Sequence, residues 1–453
     1  MTIDNNKQAE TTITTKTNSS LTKDQINKQA AKVEKSYLDS VDKCSRCGAC
    51  MAVCPVFEEL GREAFVCRGK VELLDNLRSG NLQWNGKMAD IFNTCLLCGA
   101  CAQACNSGVK GDKLFLSARR DLVEARGLPL IKKSIFRHFL RHNGRLKLGG
   151  KALSLYSRLG VRKVVQKTHL LNIFPYDMAS IEGLLPDFPK QNFRKLFMSG
   201  QLPKAKNGKM KIAYFTGCMT NLANPHIGLA LMKILAAYEV DVILPEQWCC
   251  GIPAISSGDF KTGLELAQKN INSFAEDMAK EKVDYILFDC ASCLSTWLEY
   301  EEWLPDSRIK ELLPKLMDAN RFLVEVLDIH FQTEGSGTKV TYHDACHLKF
   351  TPSGRTAPRE LLKRMAPRYQ FVEMSLADRC CGSAGSFNIT HYDLSQRILA
   401  RKIDSIEASG AKIVTAPCPS CLMQLNNGLK DKPQIKAQHL LELAADCLEH
   451  PVK

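Results

Sequence analysis

The sequence predicts an α+β chain: a small helical domain near the N-terminus, followed by two homologous α/β domains with mainly parallel sheets. Eight of the twenty cysteines fall in two evenly spaced quartets between residues 44 and 105. From Lys209 onward, short β-rich runs alternate with helical ones, and the alternation occurs twice with its cysteines at matching places. At 453 residues, 45% apolar and 24% charged, the chain has the composition of a globular protein and length for about two to four domains.

Residues 1–22 are polar and rich in Thr, Ser and Asn, lack the apolar stretch of a secretory signal, and read as a disordered tail. The cysteines are therefore expected to be reduced in the cytoplasm, where CxxC spacing suits metal ligation better than disulfides. No apolar run reaches the roughly 18 residues of a membrane span; the stretch 229–245 is interrupted by Lys233, Glu239 and Asp241. A helix is predicted over 23–40, at the start of a domain expected to span 23–128.

Within it, Cys44, Cys47, Cys50 and Cys54 followed by Pro55 read CxxCxxCxxxCP, and Cys95, Cys98, Cys101 and Cys105 repeat the spacing with Asn106 in place of the proline. Two-residue gaps let three thiolates curl around one 4Fe-4S cube while the fourth reaches a neighbouring one. The pattern predicts a ferredoxin-type two-cluster domain. One cubane cluster is expected on Cys44, Cys47, Cys50 and Cys105, the other on Cys95, Cys98, Cys101 and Cys54. Zinc sites use single CxxC pairs separated by longer loops. Cys67 has no CxxC partner and reads as a small buried hydrophobe.

The two α/β domains are expected over 209–335 and 336–453. In the first, KIAYFTGC ends at Cys218, helices are predicted over 225–238 and 259–281, VDVILP precedes CCG at 249–251, and VDYILFDC ends at Cys290. In the second, KVTYHDAC ends at Cys346, helices are predicted over 357–366 and 393–409, YQFVEMS precedes CCG at 380–382, and KIVTAPC ends at Cys418. Trailing apolar segments at 321–330 and 435–448 also correspond, and Cys447 in the latter reads as core. Each copy is a β-α-β-α-β unit with one pentad at its strand ends: Cys218, Cys249, Cys250, Cys290 and Cys293, then Cys346, Cys380, Cys381, Cys418 and Cys421. Adjacent cysteines fit two neighbouring irons better than one, so five thiolates suit an opened cluster, with Gly251 and Gly382 turning the backbone beside it. A zinc-stabilised or metal-free interaction module is the rival. His343, His347 and His391 are candidates to hydrogen-bond a cluster sulfur.

A duplicated CCG domain behind a two-cluster ferredoxin, over residues 40–448, resembles the iron-sulfur subunits of glycolate oxidase and D-lactate dehydrogenases. It is also similar to the heterodisulfide reductase catalytic subunit and the third subunit of anaerobic glycerol-3-phosphate dehydrogenase. The segment CCGSAGSFNITHYDLSQRILARKIDSIEASGAKIVTA at 380–416 looks most like the glycolate oxidase member. The resemblance implies FAD on a partner subunit that oxidises the 2-hydroxy acid, with electrons passing through the clusters toward quinone. Both pentads are complete here, as in heterodisulfide reductases, where the resemblance implies non-cubane 4Fe-4S clusters. One or two further clusters, cubane or non-cubane, are thus expected in the CCG domains.

The formal charge of +13 is concentrated: residues 125–176 hold twelve Lys or Arg and no Asp or Glu. Over 130–142, Ile131, Ile135 and Phe139 recur at i+4, with Lys133, Arg137 and Arg141 nearly opposite. Further basic residues (Arg145, Lys147, Lys151, Arg158, Arg162, Lys163, Lys167) interleave with Leu153, Leu155, Tyr156, Leu159, Val164 and Val165. The segment 129–208 is read as a basic amphipathic linker that lies on an anionic membrane through its cationic face. A solvated face or a dock for an acidic partner subunit is the alternative; no recognition motif supports nucleic acid.

GxGxxG and P-loop signatures are absent, so flavin and substrate chemistry are assigned to a partner. The expected function is the electron-transfer subunit of a glycolate or D-lactate dehydrogenase, cytoplasmic and peripheral on the inner face of the membrane, contributing no catalytic residues of its own. The rivals are a disulfide reductase acting at its CCG clusters, and a C-terminal half that merely anchors the ferredoxin.

Overall fold

Two four-stranded, all-parallel sheets organise the chain. The first has order β2-β1-β3-β4, with β1 Met210–Phe215, β2 Val240–Ile243, β3 Tyr285–Phe288 and β4 Leu316–Asp318; the second has order β6-β5-β7-β8, with β5 Thr338–Tyr342, β6 Tyr369–Phe371, β7 Ile413–Ala416 and β8 Lys436–His439. The computed structural model describes residues 40–159, 161–168, 182–335 and 337–449, so the expected tail and most of the 23–40 helix lie outside the described residues. The central strands β1, β3 and β7 are mostly apolar and buried along most of their length, as parallel strands covered by helices on both faces require; β5, TKVTY, is buried over its last three residues. Helices Pro225–Ala237, Phe260–Lys280, Thr356–Arg364 and Tyr392–Ala408 fall within a residue or two of expectation.

Each repeat is longer than the β-α-β-α-β unit read from the sequence. Each gains a fourth strand and a helix: β4, which lies before the segment 321–330, leads into Ala319–Glu325, and the segment 435–448 supplies β8 and most of Leu440–Glu449. β4 is only LMD, too short to carry an alternation pattern. Helix Pro225–Ala237 packs on Leu440–Glu449, and Ala319–Glu325 on Thr356–Arg364, so one hydrophobic core runs through both α/β domains.

The N-terminal domain is helical, with Pro55–Leu60, Cys67–Arg78, Gly86–Asn93 and Gly111–Arg126 as its main elements. Its core is completed by Cys380, Phe387, Leu394 and Ile398 of the second α/β domain. Across that joint Glu59 accepts from Arg401 (2.5 Å), Glu58 from Arg401 (2.6 Å), and the Ala52 carbonyl from Arg379 (3.0 Å).

The linker's polarity departs from the sequence reading. An α-helical stretch Leu130–Ser134 passes into a π-helical turn, Ile135–Leu140, and Phe136 and Leu140 face the protein. Arg137 pairs with the buried Asp259 (3.2 Å) and Arg141 with Glu265 (2.6 Å), so these cations are spent on the first α/β domain. The expected apolar stripe points outward, with Ile131 70% and Phe139 45% exposed. Two apolar stripes one residue apart run along this segment, and periodicity cannot tell which docks; the ion pairs decide it.

Candidate metal centres

The two quartets are shaped by matching left-handed residues. Arg46 and Gly48 (φ 57° and 85°) and, at the equivalent places, Leu97 and Gly99 (φ 53° and 72°) fold the CxxCxxC loops back on themselves. Cys44, Cys47, Cys50 and Cys105 line one cavity, Cys95, Cys98, Cys101 and Cys54 line another, and Cys101 borders both. The fourth cysteine of each quartet thus reaches the other quartet's cavity. All-thiol donor sets around two voids fit iron-sulfur clusters.

Cys67 does more than pack. Its buried thiol touches both cavities and hydrogen-bonds Cys50 and Cys101; the Cys67 bond brings Cys50 down to about 6 and its own pKa rises. Two buried cations stand behind the second cavity. Lys70, with burial pulling its pKa down against the attraction of Cys95 and Cys54, lies over the rings of Phe65 and Phe115. Arg119 donates to the carbonyls of Phe92 (3.1 Å), Cys95 (2.5 Å) and, in the first α/β domain, Ser256 (2.6 Å).

The ten CCG cysteines form one succession rather than two separate groups. Thiol contacts run from Cys218 to Cys249 (3.9 Å), then Cys250, Cys293 and Cys290, cross to Cys418 of the other domain (4.0 Å), and continue through Cys421, Cys381 and Cys380 to Cys346. The crossing is braced by Ala291 N–H donating to the Pro417 carbonyl (3.0 Å) and by a bond between His439 Nε2 and the Asp289 carbonyl (2.9 Å). Neighbouring thiols donating into them pull Cys250, Cys381 and Cys418 well below the usual thiol range, which readies these three as anionic ligands. Gly251 and Gly382 are left-handed (φ 93° and 86°), and a Cβ there would stand 2.9 Å from the Gly263 carbonyl oxygen or 2.8 Å from that of Ser395. Close helix approach, as well as the turn, requires glycine.

The second ferredoxin cavity abuts the second pentad. Burial and then the charges of Cys380 and Cys346 raise the Cys98 thiol, and Cys98 shares with Cys346 and His347 an open interdomain cleft. The three candidate histidines part company. His343 Nδ1 or Nε2 lies within 4.8 Å of the Cys381 and Cys421 sulfurs, and burial takes its pKa down to about 3. His347 Nδ1 bonds Ser292 Oγ (2.9 Å), which sits 3.8 Å from Cys418 Sγ. His391 is a correction: it stacks on Phe387, and its ring nitrogens bond Thr94 (3.0 Å) and Thr390 (3.0 Å) instead of a sulfur, the Thr94 bond tying the ferredoxin domain to the second α/β domain. Cys447 is buried in the common core, as read from the sequence.

Lys402 went unread. It is 2% exposed, donates to the Leu376 and Ala377 carbonyls, and feels Cys381 and Cys380 as its strongest opposing charges. The signal that could have found it was a cation on an apolar stripe: Lys402 follows Leu394 and Ile398, as Lys70 follows Cys67 and precedes Leu74.

Residues 40–109 match the 4Fe-4S dicluster domain family, 127–185 the linker region of the glycolate oxidase iron-sulfur subunit, and 212–297 and 340–426 the cysteine-rich domain family. A probable glycolate oxidase iron-sulfur subunit of Bacillus subtilis is 31% identical over 446 residues, covering 93% of this chain and 98% of that protein. Lactate utilization protein A of Halalkalibacterium halodurans is 31% identical over 242 residues, 52% of this chain and 96% of the relative. A fumarate reductase (CoM/CoB) chain of Methanothermobacter marburgensis is 28% identical over 242 residues, 52% of this chain and 46% of that protein.

Proposed function

The chain belongs to the glycolate oxidase iron-sulfur subunit family, and from that premise we propose that it is the electron-transfer subunit of a flavin-linked 2-hydroxy-acid dehydrogenase. It takes electrons from FAD on a partner subunit that oxidises glycolate or D-lactate and passes them toward membrane quinone. Cys44, Cys47, Cys50 and Cys105, and Cys95, Cys98, Cys101 and Cys54, would hold two 4Fe-4S clusters; the two pentads would hold one or two more. When bound, such clusters supply reversible one-electron uptake.

The observation that carries the reading is the continuity of thiol-lined space. It begins at the exposed Cys47, passes Cys67 between the two ferredoxin cavities, meets the second pentad where Cys98 faces Cys346 and Cys380, and ends at Cys218. Lys70 and Arg119 place positive charge in a low-dielectric setting beside this path, favouring the reduced, more negative state of whatever the thiolates bind. No helix among the described residues is long and apolar enough to cross a membrane. Attachment to the inner membrane face is instead supported by the outward apolar residues of the linker, among them Leu130, Ile131, Ile135 and Phe139, beside the exposed Lys133.

The test removes one ligand. Cys98→Ser abolishes electron transfer from the flavoprotein to quinone while the partner still reduces an artificial dye with its 2-hydroxy acid, because that half-reaction needs only flavin. Loss of dye reduction as well, or retained quinone reduction, rejects the reading.

The cleft opening onto Cys346, together with two complete pentads, favours one other reading: a disulfide reductase acting at the CCG centres. Under it, the isolated chain with a chemical reductant cleaves a thiol disulfide, and Cys381→Ser abolishes that cleavage with no flavoprotein present.

A further inference from the structure

The helix Asn143–Arg158 carries two parallel stripes. Lys147, Lys151, Ser154 and Arg158 recur at i, i+4, i+7 and i+11; Leu148, Leu155 and Leu159, one residue further on, run alongside, rotated by about 100°. The cationic stripe forms one wall of an open groove, and Lys190 and Lys195 come from the opposite wall. Five cations converge there, no acidic residue lines it, and none of the five is ion-paired among the described residues. Arg162, on the next helix, is held by Glu182 (2.8 Å) and Asp187 (2.8 Å) outside the groove, so the local acids are already engaged. The leucine stripe stays in solvent: Leu148 is 67%, Leu155 55% and Leu159 67% exposed.

Concentrated unpaired cations in a concave site call for an anion with several oxygens. A free phosphate would need only the groove. The unpartnered leucines beside it call for an anion attached to hydrocarbon. We propose that this groove binds the phosphate of an anionic phospholipid headgroup, while Leu148, Leu155 and Leu159 sit in the adjoining acyl boundary. The proposal rests on the reading that the chain works at a membrane surface, and adds where and by what chemistry it holds the lipid. Arg137 and Arg141, whose charges are taken by Asp259 and Glu265, take no part.

The experiment is flotation of the anaerobically purified full chain with phosphatidylcholine vesicles, with and without phosphatidylglycerol. The wild type floats with the anionic vesicles at 0.1 M salt and is released as salt rises. Neutralising the groove by Lys147→Gln, Lys151→Gln and Arg158→Gln lowers partition at least tenfold, with circular dichroism and iron content unchanged; Arg137→Gln and Arg141→Gln do not. Leu148→Ser with Leu155→Ser and Leu159→Ser also lowers partition, and millimolar inorganic phosphate fails to displace the wild type. Full binding by the groove variant overturns the proposal while leaving membrane attachment intact; no binding of the wild type to either vesicle overturns both. Displacement by inorganic phosphate assigns the groove to a soluble phosphate and overturns the lipid. Loss of flavoprotein binding by the groove variant with unchanged flotation assigns it to a protein partner and overturns it likewise.

Discussion

The two CCG domains share strand order, pentad and left-handed glycine, yet they surround their thiols with different matter. In the first, Phe215 packs against Phe288 (5.3 Å), Trp297 (5.4 Å) and Phe274 (5.8 Å). The residues at those four places in the second are His343, Ala416, Leu425 and Ile406. Where the first buries the neutral Asn270, donating to the Cys249 carbonyl (3.1 Å), the second buries Lys402. Asp344, beside His343, is held by a bidentate pair with Arg359 (2.8 and 2.9 Å) and Asp378 pairs with Arg355 (3.8 Å), so Cys381 and Cys380 are the main opposing charges on Lys402. Duplication kept the ligand geometry and let the electrostatics diverge: one pentad lies in an aromatic wall beside the buried carboxyl of Asp289, the other beside a cation.

The sharpest way to break the comparison is to remove one equivalent ligand at a time. Cys250→Ser and Cys381→Ser should each lower the iron of anaerobically purified protein by about four atoms per chain. If one variant loses iron and the other loses none, only one pentad carries a cluster and the equivalence ends. Next in size is the wall itself. Phe215→Ala should cost about 3–5 kcal/mol in urea unfolding, because a fully buried ring leaves a cavity among other rings. His343→Ala should cost about 1–2 kcal/mol, since its Nδ1 has no hydrogen-bond partner to lose. Equal costs would mean the aromatic wall contributes no more than its polar counterpart.

The caps of the fourth strands offer a comparison of opposite sign. Asp318 and His439 occupy equivalent places and both accept from the helix that follows, Asp318 from Asn320 N–H (2.9 Å) and His439 from Leu441 N–H (3.2 Å). Burial raises Asp318 to about 6 and lowers His439 to about 4. The Asp318 contribution is present below its unfolded pKa, near 4, and is lost as pH rises through 6. The His439 contribution is present above about 6.5 and is lost as pH falls through 4. Each amounts to about 3 kcal/mol, and over pH 4 to 6.5 they oppose one another. On acidification across that window, His439→Gln should therefore lose less stability than wild type and Asp318→Asn more; slopes of the same sign would refute the assignment. The smallest effect is electrostatic. Lys402→Gln should lower the equilibrium constant for reducing the second centre at least tenfold, about 59 mV for one electron, and Asn270→Lys should raise that of the first. Potentiometric titration followed by paramagnetic resonance reads both, and an unchanged potential in either variant removes the charge asymmetry as a cause.

Much of this was legible in advance because cysteine spacing and internal repetition are local. The quartets, both pentads and the helices of each repeat could be read from single segments, whereas the crossing from Cys290 to Cys418 depends on how two domains dock and has no sequence signature. Lys70, Arg119 and Lys402 were missed because a cation on an apolar stripe resembles a flaw in the pattern until the buried thiolates it faces are in view. The linker was misread for a related reason. Its periodicity was sound, but Asp259 and Glu265, more than a hundred residues downstream, choose the face that turns inward.

The completion of the ferredoxin core by Cys380, Phe387, Leu394 and Ile398 has a consequence for synthesis. At roughly 5–20 residues per second, the ribosome needs on the order of 15–65 s after releasing helix Pro55–Leu60 to deliver helix Tyr392–Ala408, which packs on it. For that interval the nascent domain has nine thiols and an unsealed apolar flank. Its clusters therefore either go in late, after the C-terminal half has arrived, or go in early under the protection of a factor that holds the flank in the meantime.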